Sequence, residues 1–231
     1  MTPFDSAIAL LYSEAEEKRP TPRAPIVPLA ALARGHNRNC SELPQLCARG
    51  AFDFLLSRGG MMRRPSPQSC DMDEAALGEP LAGFLWANAF GGAIFVRSED
   101  PISRRRFSVA HELGHFVLHL PLVIAAARKA GREEEAELTD ILLPPSEDAD
   151  EDIDPGEASA PSPGAEHARR EREANAFAAE LLMPGDLVRE MAQALGPRRD
   201  ADLIWRLSCD LLVSRAAMRV RLRTLGLLRE S

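Results

Sequence analysis

His111 and His115 stand four residues apart, with Glu112 directly after the first, in the stretch RRRFSVAHELGHFVLHL from Arg104 to Leu120. On an α-helix, positions four apart lie one above the other on the same face, so both imidazoles can point at one ion. Neutral imidazole is a favoured zinc ligand, at about 2.0–2.1 Å. Glu112 projects about 100° further round the helix, beyond easy coordination but within reach of a water held at the metal. That is the position of a general base for hydrolysis. Background composition would spell HExxH in roughly one chain in a hundred of this length, so the pentapeptide needs support from its flanks. The competing reading is a surface helix with two solvated histidines. Against it, the flanks FSVA and FVLHL are apolar; they would bury the helix and make unpartnered imidazoles costly.

A catalytic zinc takes three protein ligands and keeps one position open. His119 lies two turns beyond His111, about 12 Å along the axis. No glycine after His115 turns the chain back, so His119 is expected in the core or behind a ligating histidine. His36 and His167 have no supporting pattern and read as surface histidines. A better third ligand lies in EREANAFAAELLMP. There Glu171 and Asn175 share one helical face, expected to lie opposite an apolar stripe of Phe177, Leu181 and Leu182. A carboxylate with a hydrogen-bonding side chain one turn later suits a ligand plus a partner that orients a ligating histidine. Glu173 remains the competing carboxylate, although the residue four positions on is Phe177, which cannot hydrogen bond.

The elements that must position these groups are readable in outline. SAIALLYSEAEEK has helical spacing, RPTPRAPIVPLAALARG can hold only short helical pieces, and LCARGAFDFLLSRG reads as a further helix. RRPSPQSCDMD reads as loop. Leu81–Val96 contains two apolar runs separated by Asn88 and the Gly91-Gly92 pair, the pattern of a β-hairpin. It leads directly into the histidine helix, which starts near Pro101 and is interrupted at Pro121. A second helical stretch ends at Gly131. After ARREREANAFAAELLMP come a helix stopped at Gly196 and then a helix, turn and helix, with Ser214 as N-cap and Gly226 as the terminating glycine.

The 231 residues carry a net charge of −7, but twelve acids and no lysine or arginine lie between Glu133 and Glu157. Without that stretch, 23 acidic residues face 28 basic ones. The acidity therefore belongs to one segment and says little about the partner of the folded part. Rich also in proline, serine and glycine, 133–165 is expected to be a disordered insertion dispensable for folding. It divides the chain into 1–132, with the first helices, small sheet and HExxH helix, and 166–231, with the third-ligand helix and helical C-terminal part of the same catalytic domain. The four cysteines form no CxxC pair, which fits a reducing cytoplasm. No targeting segment and no apolar run near the ~18 residues of a membrane span are expected.

The strings RRRFSVAHELGHFVLH, EREANAFAAELLMP and VSRAAMRVRLRTLGLL together resemble the ImmA/IrrE family of zinc metallo-endopeptidases. The resemblance implies an α+β, mainly helical, zincin-like domain, with a small sheet beside the HExxH helix and ligands from two helices. By position it assigns His111, His115 and Glu171 to zinc, as in gluzincins, and Glu112 to acid–base work. It also implies a substrate class, since relatives of known role cleave or otherwise inactivate helix-turn-helix repressors, releasing stress-response or mobile-element genes. Two other readings compete. One is a DNA-binding regulator whose stripe of Arg215, Arg219 and Arg223, opposite Met218, Leu222 and Leu225, would meet phosphates. The other is a metal sensor that captures a repressor without cutting it.

Overall fold

A computed structural model describes residues 3–57, 76–133, 136–144 and 163–228. In chain order these form α1 (Asp5–Glu14), α2 (Leu29–Gly35), β1 (Arg38–Leu43), α3 (Ala48–Ser57), β2 (Gly83–Asn88), β3 (Gly92–Arg97), α4 (Ile102–Leu118), α5 (Leu120–Lys129), β4 (Glu137–Leu142), α6 (Pro163–Leu182), α7 (Gly185–Leu195), α8 (Asp200–Leu211) and α9 (Arg215–Thr224). The fold is α+β and mainly helical, as expected.

The sheet has the order β1-β3-β2-β4. β2 and β3 are the expected hairpin, turned at Asn88, whose side-chain oxygen accepts from the amides of Phe90 and Gly91. Side chains alternate across a strand. Phe84, Trp86, Ala93 and Phe95 therefore pack on α3, while Leu85, Ala87, Ile94 and Val96 join the main core with α4 and α6. Both faces are covered, so these strands read as unbroken apolar runs rather than alternating ones.

Two strands depart from the expectations. β1, parallel to β3, has no counterpart among the elements expected from the sequence, because RNCSEL has no apolar run; pairing with β3 makes it a strand. β4 corrects the proposed disordered insertion. Glu137–Leu142 pairs antiparallel with β2 through six residues, and 163–165 already belongs to α6. The physical reason is period-two burial: Leu138 and Asp140 turn inward while β2 offers an edge. The rest of that insertion, 145–162, and the loop reading of RRPSPQSCDMD lie outside the described residues.

α4 is the central helix, and Ser108 to His115 are buried without a break. It continues into α5 because Pro121 occupies the first turn of the new helix, where its missing N–H is not needed. The combined stretch Ile102–Lys129 is long and apolar enough to cross a membrane, contrary to expectation. Half of its apolar window is packed inside the molecule, as in a core helix.

α6 lies against α4 at Gly114. A Cβ added there would stand 3.1 Å from the Phe177 ring and 3.2 Å from Ala174 Cα. Phe177 thus faces α4 beside Glu171 and Asn175, instead of lying opposite them, because the helices approach closely enough for one interface to hold both. Gly114→Val should destabilise the fold by about 1–3 kcal/mol, the usual cost of overpacking, and move Glu171 away from the histidines. Thermal melts and metal titration of that variant check both effects.

At the C-terminal end, Ser214 Oγ accepts from Ala217 N and caps α9, while Gly226 takes a positive φ of 66° after it. Met218 and Leu222 are buried in the main core, and Arg215, Arg219 and Arg223 are exposed. Arg221 ties α9 to α6 by an ion pair with Glu180 and a bond to the Met183 carbonyl.

Candidate metal centre

Helical geometry stacks His111 and His115 with their Nε2 atoms 3.0 Å apart. Glu171 reaches across from α6, with Oε1 3.2 Å from His115 Nε2 and Oε2 3.4 Å from His111 Nε2. Asp140 comes from β4, its Oδ2 3.5 Å from His115 Nε2. One ligand atom from each of these four residues lies within 4.8 Å of the others. Glu173, the competing carboxylate, sits instead on His119, 3.0 Å from its Nε2.

The surrounding hydrogen bonds fix the two tautomers. His111 Nδ1 is 2.9 Å from Asn175 Oδ1, which only accepts, so the ring proton is on Nδ1 and the Nε2 lone pair faces the cluster. His119 Nε2 donates to Glu173, leaving its Nδ1 to accept from His115 Nδ1 at 3.1 Å. His115 Nε2 is therefore a lone pair as well. Two imidazole lone pairs and two carboxylates converge with no hydrogen among them, an arrangement that repels itself unless a cation lies between. Donors about 2.0–2.1 Å from a tetrahedral ion stand roughly 3.3 Å apart, close to the spacings found. The residues fit a divalent metal.

Glu112 is fully buried, and neither carboxylate oxygen has a hydrogen-bond partner. Burial, with the charges of Asp140 and Glu171, pushes its pKa well above the usual carboxylate range. Gly83 makes room for it, since a Cβ there would lie 2.6 Å from Glu112 Oε1. Asp140 is likewise raised, mainly by burial. Glu171 is pushed up by burial, but the closeness of the His111 and His115 rings outweighs this and holds it well below the usual range.

Residues 74–143 and 150–223 match the family described as Peptidase M78, the IrrE N-terminal-like domain. The chain belongs to this family. Its activity is thus of metallopeptidase type, and the match spans the hairpin, both histidine-bearing turns, β4, α6 to α8 and α9 up to Arg223, leaving α1 to α3 and β1 outside. No curated protein matches the chain.

Of the residues singled out in the sequence, His111, His115, Glu171 and Asn175 meet at this one place, with Glu112 beside them. His119 stands behind His115, as its spacing suggested. His36 is not a surface histidine: its ring bonds the Leu11 carbonyl and pairs with Glu14 on α1, far along the chain from the cluster. Asp140 was missed. Its only signal was the alternation of LTDI within an acid-rich stretch.

Proposed function

We propose that this member of the M78 family is a zinc endopeptidase that cuts a protein partner at a specific site. His111, His115 and Glu171 would hold the zinc, Asn175 would orient His111, and Glu112 would be the catalytic acid–base. The observation that carries this reading is the convergence of the two Nε2 lone pairs and the Glu171 carboxylate beside an unpartnered, buried Glu112. When bound, zinc supplies Lewis acidity, polarising a substrate carbonyl and bringing the pKa of water towards neutrality.

The chain's own residues handle the proton. Glu112, raised by burial, is tuned to take a proton from the attacking water and deliver it to the leaving amine nitrogen. Asn175 keeps His111 in the Nδ1–H tautomer, and His119 with Glu173 does the same for His115.

The partner class we infer is a helix-turn-helix transcriptional repressor, in stress response or mobile-element control. This extends the family resemblance, and the setting inferred is the cytoplasm, without a membrane. Cys40, Cys47 and Cys209 are free thiols, in keeping with a reducing compartment. The second reading is a regulator that captures a repressor, or touches DNA, without proteolysis. The exposed Arg215, Arg219 and Arg223 on α9 favour it.

Metal analysis tests the site. The purified chain should carry about one zinc, and His115→Ala or Glu171→Ala should lose it. Glu173→Ala should retain an equivalent, with affinity weakened by about 10-fold through His119. Loss of zinc in Glu173→Ala with retention in Glu171→Ala would reverse the assignment.

A further inference from the structure

Asp140 stands out among the groups at the cluster because nothing else among the described residues explains it. It is only 9% exposed, and its Oδ2 has no hydrogen-bond partner. Among the described residues, the ionisable groups facing it are His115, Glu171, His111 and His167, with Glu112 also close. None is a lysine or arginine. His115 Nε2, 3.5 Å from Oδ2, has no proton to give, because that ring donates from Nδ1 to His119. A buried carboxylate facing a lone pair is costly unless a cation joins them.

We propose that Asp140 is a fourth protein donor to the metal, so that the resting centre is closed and Asp140 must give up its place before a substrate carbonyl can be activated. The inference rests on the metallopeptidase reading above and adds a latent state to it. A site with four protein donors is of structural type, whereas a catalytic site needs an open position. Asp140 is the donor best placed to exchange. His111, His115 and Glu171 sit on α4 and α6, which are locked together at Gly114. Asp140 sits on β4, the last strand of the sheet, which among the described residues pairs only with β2. Movement of that one edge strand would open the centre without disturbing the other three donors.

The test compares the full chain as wild type, Asp140→Asn and Asp140→Ala. Zinc affinity is measured by chelator competition, and cobalt(II) replaces zinc as a spectroscopic probe, titrated with acetohydroxamate as an entering ligand. Zinc affinity should fall at least ~10-fold in both variants, the size of effect expected when a metal loses a supporting group. The visible cobalt spectrum should change, and acetohydroxamate should perturb it at ~10-fold lower concentration than in wild type, since no carboxylate has to be displaced. The metal-free melting temperature of Asp140→Asn should equal or exceed that of wild type, because a buried unpaired carboxylate has been removed. A residue needed only for folding would lower it, and that result would overturn the proposal. Zinc affinity and acetohydroxamate response equal to wild type in both variants would overturn it as well, while leaving the peptidase reading intact. A wild-type chain that takes up no metal would overturn both.

Discussion

Glu112→Gln is expected to fold, hold metal and bind its protein partner, yet cleave that partner at least ~10²-fold more slowly, the loss typical of a missing general base. The amide keeps the size of the carboxylate and leaves both imidazoles unchanged. Nothing in the fold depends on the lost charge, because both Glu112 oxygens are buried without partners. Melting temperature should therefore stay level or rise, so slower cleavage cannot be attributed to unfolding. The same variant separates enzyme from binder. A regulator that works by capture alone would release its repressor target in cells equally well with either residue. Equal cleavage rates for wild type and Glu112→Gln would end the peptidase reading even if the metal remained bound.

How far the sequence could be read depended on whether a feature is local. The HELGH helix was legible because a four-residue spacing and apolar flanks define a face without knowledge of any neighbour. Ser214 and Gly226 were legible for the same reason, since caps are set by their own turn. The choice between Glu171 and Glu173 was only weighted, because both carboxylates face α4. What decides it is the sliding register of α6 along α4, fixed where Gly114 meets Ala174 and Phe177. β1 and β4 were not legible at all. Strand pairing supplies most of their reason to exist, and that partner is distant: β1 pairs with the hairpin about fifty residues later, across α3. In β4 a count of acids over a long window hid the inward alternation of Leu138 and Asp140, and with it one of the groups at the centre.

The acid-rich stretch therefore splits into parts with opposite expected consequences. Replacing Glu137–Leu142 with a glycine–serine segment of equal length should lower the melting temperature by 10 °C or more, on the order of what several lost kcal/mol cause in a domain of this size. The substitution keeps chain length, so loop-closure entropy is unchanged and the loss measures the strand itself. Six paired positions along β2 lose their partners. Net hydrogen bonds of about 0.5–1.5 kcal/mol each, and burial of Leu138 at about 1.5–3 kcal/mol, account for the drop. Against total stabilities of about 5–15 kcal/mol, such a loss brings the chain close to unfolding. The same replacement over 146–160, which holds seven of the twelve acids and no basic residue, should leave the melting temperature within about 2 °C, because like charges repel and so polar a sequence has little apolar surface to bury. Deleting Glu133–Ser162 outright should behave like the first variant, since it takes β4 with it. If the 137–142 replacement melted with wild type, β4 would not be a working strand, and Asp140 would have no fixed place beside His115.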